Sequence, residues 1–104
     1  MGCTKLIHGR RDCNHAEIRD ALRKGGYYVK DTGDYKGGFP DLLVTSKSDI
    51  GVLMEVKMPG EKLTKAEEKF WDEYRGPLEL VFSVEEAFEA MQAWDERSLN
   101  DNRR

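Results

Sequence analysis

Two short apolar runs, Leu42-Leu43-Val44 and Ile50-Gly51-Val52-Leu53-Met54, flank the polar stretch Ser46-Lys47-Ser48-Asp49. Runs this short, separated by a turn-forming break, predict two buried strands of a hairpin. Pro40-Asp41 leads into the first strand and Glu55-Val56-Lys57 leads out of the second. Asp41 and Glu55 are therefore expected near one another at one end of the hairpin. Side chains alternate along a strand, so Glu55 and Lys57 share a face and Val56 turns the other way, toward the core.

Charge on such a face calls for a reason. A hard divalent cation such as Mg2+ takes a few oxygen ligands and keeps several waters, so Asp41, Glu55 and the Val56 carbonyl form a candidate cradle for it against a phosphate. Lys57 would then stand beside the attacking water, where an amine orients it, deprotonates it or stabilises the developing charge. The competing reading makes Asp41 a turn cap and leaves Glu55 and Lys57 as a same-face pair on an exposed strand. In a chain with 36% charged residues, acid-x-Lys also arises by accident. Its position on two adjacent apolar strands favours the metal-site reading.

The segments Gly38-Phe39-Pro40-Asp41-Leu42-Leu43-Val44 and Leu53-Met54-Glu55-Val56-Lys57-Met58-Pro59-Gly60-Glu61-Lys62-Leu63-Thr64 resemble the PD-(D/E)XK nuclease superfamily and, within it, the VRR-NUC family. The resemblance spans residues 14 to 84. It implies a restriction-endonuclease-like α/β core and adds Glu17, in Asn14-His15-Ala16-Glu17-Ile18, as a further metal ligand on an N-terminal helix, direct or through water. In one place the chain departs from the pattern, since Glu67 stands where the family usually has a glutamine. The implied activity is Mg2+-dependent endonucleolytic hydrolysis of DNA, with Mn2+ able to substitute. Small single-domain members tend to be dimeric and to cut branched DNA such as four-way (Holliday) junctions, and are often found in phages and prophages, so a homodimer acting on branched DNA is the implied form.

A chain of 104 residues makes one domain, 1–104, with a core expected over about 12–97 and a frayed tail from Ser98. No apolar stretch approaches the length of a membrane span, and the N-terminus Met1-Gly2-Cys3-Thr4-Lys5 has no hydrophobic segment. Leu6 stands where myristoylation of Gly2 requires Ser or Thr. A cytoplasmic location is expected, the host's cytoplasm if the protein is phage-encoded. Cys3 and Cys13, with His8 and His15, lack the short Cys-x-x-Cys knuckle of a zinc site. Reduced thiols and histidines at the surface or beside DNA are expected instead.

The net charge of -3 is unevenly spread. Residues 1–65 hold 12 Lys and Arg against 9 Asp and Glu, while residues 66–104 hold 5 against 11. The motif thus lies in the basic part, where Lys5, Arg10, Arg11, Arg19, Arg23, Lys24, Lys36, Lys62 and Lys65 are available to phosphates. Glu85, Glu86, Glu89, Asp95 and Glu96 are read as a solvated face.

The remaining pattern predicts the order α-β-β-β-α-β-α, a mixed central sheet flanked by helices. Asp12 or Asn14 is the expected cap of a first helix running to Lys24 and ended by Gly25-Gly26, with Ile18, Ala21 and Leu22 inward. Tyr27-Tyr28-Val29 and Leu78 to Phe82 read as strands, and the Gly33, Gly37 and Gly38 region as a loop leading to the site. Thr64 with Glu67, and Ser83 with Glu86, have the spacing of capping boxes. The helices they open would bury Phe70, Trp71 and Tyr74, and Ala87, Phe88, Met91 and Trp94. Tyr35 and Phe39 are the aromatics open to a DNA contact. A non-catalytic DNA-binding or interaction module of the same fold, or a nuclease acting on ends, flaps or RNA, are the alternatives.

Overall fold

The computed structural model describes residues 10–101, and their side chains from 14 to 97. Cys3, His8 and the side chain of Cys13 lie outside what is described, as do residues 102–104. The elements run α1 (Arg10–Lys24), β1 (Tyr28–Asp31), β2 (Leu42–Thr45), β3 (Gly51–Val56), α2 (Lys65–Glu73), β4 (Leu78–Val81) and α3 (Val84–Asp101). The order is the one expected. The strands form a single mixed sheet, β1-β2-β3-β4, in which β1–β2 and β2–β3 are antiparallel and β3–β4 is parallel.

Register follows from burial. Val44 pairs with both Val29 and Val52, Leu42 with Met54, and Val56 with Val81. All of these apolar side chains are buried, and with Ile18 and Leu22 of α1 and Ala87 and Met91 of α3 they form one core. Each such aliphatic side chain removed from water contributes about 1.5–3 kcal/mol. The hairpin turn is built by buried Ser46, whose hydroxyl accepts from Ser48 N and Ile50 N, while Asp49 takes a left-handed conformation (φ 68).

Several expectations change. α1 starts at Arg10, ahead of both proposed caps, so Asp12 and Asn14 are interior to the helix. Asn14 is instead a strap: its Nδ2 donates to Lys57 O (3.2 Å) and Phe82 O (3.4 Å). Gly25 and Gly26 do end α1, with Gly26 at φ 94. α3 continues through Asp101, because nothing in Ser98-Leu99-Asn100 breaks a helix. Asp95 is no idle solvated acid, since it accepts from Tyr27 Oη (2.8 Å) and Lys47 N (2.7 Å) and ties α3 to the hairpin turn. Burial and that bond push the Tyr27 hydroxyl up to about 12. Glu85, Glu86, Glu89 and Glu96 are exposed.

The largest revision concerns α2. Thr64 and Glu67 form the expected capping box, yet the one buried side chain of this helix is Glu67. Phe70, Trp71 and Tyr74 are only half-buried, because the core is already closed by α1 and α3 and α2 comes to the sheet's other side. Its N-terminus sits against Gly38 (φ 82), where a Cβ would collide with Ala66 O. Gly37 has a similar φ of 78 but open space around it.

That contrast is testable. Gly37→Ala should cost only the left-handed penalty, about 1–2 kcal/mol. Gly38→Ala adds a clash with helix backbone and should lower the melting temperature by roughly 10 °C or more. Thermal unfolding of the two variants side by side checks it, and equal losses would mean that α2 does not seat on Gly38.

Candidate metal and phosphate site

Pro40 and Asp41 enter β2 under the control of buried Thr32, whose Oγ1 donates to Pro40 O (2.7 Å) and whose N–H donates to Asp41 O (2.9 Å). Extending the β2–β3 register by one residue sets Asp41 opposite Glu55, on one face of the sheet. Asp41 Oδ2 accepts from Val56 N (2.9 Å), so the carboxylate is fixed across the strand pair. The Val56 side chain is in the core, 1% exposed, as the alternation requires.

Glu55 is 0% exposed. Among the described residues, no donor reaches either of its carboxylate oxygens. A buried carboxylate without donors is costly, and it resists ionisation. Burial first, then the neighbouring charges of Asp41 and Glu67 and a hydrogen bond between the Glu55 and Asp41 carboxyls, push Glu55 up to about 9, with Lys57 opposing them. Without a cation, the proton of this acidic group belongs on Glu55.

Lys57 lies two residues on, on the same face, and is 4% exposed. Its Nζ is 2.8 Å from Glu67 Oε1. The same Glu67 oxygen accepts from Thr64 N (2.8 Å), so the residue that caps α2 also pairs with the lysine. Burial pushes the Glu67 carboxyl up, but the hydrogen bonds from Lys57 and Thr64 outweigh it and hold Glu67 below its ordinary value. At the backbone, Lys57 N donates to Val81 O (3.1 Å), extending the β3–β4 ladder past its last residue.

The structure thus gathers Asp41, Glu55, Val56 and Lys57 in one place. Glu17 is exposed on α1, one turn beyond Asn14, and no described contact ties it to them. The sequence reading missed Thr32, whose partners lie eight and nine residues away, and the ion pair of Glu67, whose capping role was legible from spacing alone. His15 packs its Nε2 3.4 Å from Asp31 Oδ1, a carboxylate also held by Arg19 and Gly33 N.

No arrangement of three or more His, Cys, Asp or Glu side chains suited to a metal occurs among the described residues. Two carboxylates nevertheless suffice for Mg2+, which keeps most of its waters. Such an ion would take the place of the Glu55 proton between the two facing carboxyls. Against known proteins, no family model, curated protein or solved structure matches the chain.

The linkage has a definite sign. Glu55 is raised from 4.5 to about 9 in the fold, so the stability its neutral form contributes is full below about pH 4.5 and is lost as pH rises through 9. In metal-free buffer the melting temperature of wild type should therefore fall relative to Glu55→Gln between pH 5 and 9, the gap reaching roughly 5 °C or more. Parallel pH profiles for the two proteins would show that Glu55 ionises freely.

Proposed function

We infer that this protein is a Mg2+-dependent nuclease that hydrolyses DNA phosphodiester bonds, with Asp41 and Glu55 holding the cation and Lys57 beside the nucleophilic water. The observation that carries this reading is the fully buried Glu55 carboxyl directly across from Asp41, with another carboxylate for a neighbour and no cationic group within hydrogen-bond distance of its oxygens. A structural ion pair would have given it a donor. The resemblance to the VRR-NUC family and a restriction-endonuclease-like core accords with the strand order and with the hairpin joined to a parallel fourth strand.

Each residue then has a task. Asp41, locked by Val56 N–H, presents its carboxylate in a fixed orientation; Glu55 supplies a second oxygen from the sheet interior. Mg2+, or Mn2+ in its place, would supply Lewis acidity and neutralise charge on the phosphate. Lys57, ion-paired with Glu67, stabilises negative charge and orients water at the same face. Glu67, in the family's glutamine position, keeps the lysine from collapsing onto Glu55. Glu17, which the resemblance makes a further ligand, direct or through water, is exposed on α1 with no described contact to the site.

Asp41→Asn and Glu55→Gln should abolish cleavage of DNA while the proteins remain folded. Lys57→Ala should lower turnover by ~10²-fold or more with metal binding retained. A panel of supercoiled, linear and branched DNA and of RNA, with Mg2+ or Mn2+, measures this: cleavage by either acid variant at wild-type rates would remove the assignment. No cleavage by wild type with any metal would favour a non-catalytic binding module, and trimming from ends an exonuclease.

We also propose a C2 homodimer acting on branched DNA. Cutting a four-way junction takes two symmetric incisions, and a single domain offers one site. The sheet face turned away from α1 and α3 carries the row Leu43, Leu53 and Leu78, of which Leu43 and Leu78 are only half-buried. An isologous contact would cover such a row. Light scattering at micromolar concentration, run beside cleavage of junction and duplex, should give a dimer with faster junction cutting; a monomer with equal rates excludes it.

A further inference from the structure

Four aromatic rings form a continuous ladder beside the acidic cluster. Tyr35 and Phe39 have centroids 5.2 Å apart, Phe39 and Phe70 5.3 Å, and Phe70 and Tyr74 5.2 Å. None belongs to the core between the sheet and α1 and α3. Packing accounts for the middle of the ladder, because Phe39 against Phe70 joins the glycine loop to α2. It does not account for Tyr35, which adds a ring at the outer end and leaves 53% of itself exposed.

The ladder and the site share their supports. Pro40 is turned into the interior, and Phe39 and Asp41 flank it on either side. Two residues span at most about 7 Å, roughly the reach of one nucleotide along a single strand. On α2, Glu67 and Phe70 are three positions apart and so lie on one helix face. Gly38 sets the spacing between the two halves, since its missing side chain lets the loop touch Ala66 O. Lys36 follows Tyr35, and Lys65 precedes the Ala66 contact; both are exposed and available to the phosphates of a bound strand.

We propose that the ladder Tyr35, Phe39, Phe70 and Tyr74 is a stacking site for an unpaired base adjoining the phosphate bound at Asp41 and Glu55, so that the preferred substrate has a single-stranded nucleotide beside the bond to be cut. This rests on the nuclease reading and narrows it, since among branched DNAs it favours those with an unpaired nucleotide at the branch over a fully paired junction. Duplex DNA keeps its bases stacked on one another and offers this surface nothing. An unpaired base has a free π-face, and Tyr35 is the ring open to receive it.

The test uses binding in Ca2+, so that it does not depend on turnover. A duplex with a single-stranded arm and a blunt duplex of the same sequence, each fluorescently labelled, are titrated with wild type, Tyr35→Ala and Tyr35→Phe. A second probe places 2-aminopurine at the first unpaired position. Wild type should prefer the armed duplex and quench the 2-aminopurine. Tyr35→Ala should bind the armed duplex about 10-fold more weakly and lose the quenching, with blunt-duplex affinity unchanged; Tyr35→Phe should behave as wild type. The melting temperature of Tyr35→Ala should match wild type, since the side chain lies at the surface. Equal affinity of wild type and Tyr35→Ala for the armed duplex, or an equal loss on both DNAs, overturns the stacking site while leaving the nuclease assignment standing. Wild type that binds neither DNA overturns both.

Discussion

The contact between Lys57 Nζ and Glu67 Oε1, 2.8 Å long and almost wholly buried, is what allows β3 to carry charge into the interior. Val52, Met54 and Val56 fill the core on one side of that strand, while Glu55 and Lys57 emerge on the other. Three carboxylates and one ammonium in a space with little water would be self-repelling without that pair. Pairing Glu67 with the lysine concentrates the remaining imbalance on Asp41 and Glu55. In the absence of a cation, the proton on Glu55 offsets that imbalance.

The pair also explains why α2 is where it is. A helix with no buried apolar side chain has little hydrophobic reason to dock. Glu67 supplies an electrostatic one, the Phe39–Phe70 contact supplies some apolar area, and Gly38 permits the close approach that both need. Thr32 performs the matching service on the other side, holding the carbonyls of Pro40 and Asp41 from the loop after β1. The acidic cluster is thus gripped from the β1–β2 loop and a helix cap, with the sheet providing only its floor.

How much of this was readable beforehand follows from the range of the interactions. The hairpin, the element order and the capping box of α2 are local: apolar runs, a Ser-Asp turn and a Thr-x-x-Glu spacing report on structure within a few residues. Asp41, Glu55 and Lys57 were legible because period-two alternation and a short turn bring them together. Burial of the aromatic face of α2 was not, since helical periodicity marks a face and cannot say whether the core has room for it. Asn14 looked like a cap because its preference for helix starts is a local property, whereas its partners are 43 and 68 residues away. Asp95 looked like solvent-facing charge for the same reason.

The Asn14 strap bears on the order in which the protein comes into being. An amide group carries two donors, and here one side chain addresses the carbonyl ends of two neighbouring strands, one on each side of the chain's parallel crossover. Translation delivers Asn14 first, Lys57 next and Phe82 last. A nascent chain still short of Leu78 already contains Asp41, Glu55 and Lys57, but it has neither the fourth strand nor the clasp that aligns it with the third. Assembly of the site therefore waits for Phe82, and a chain cut short of it carries the full motif without the framework that gives it shape.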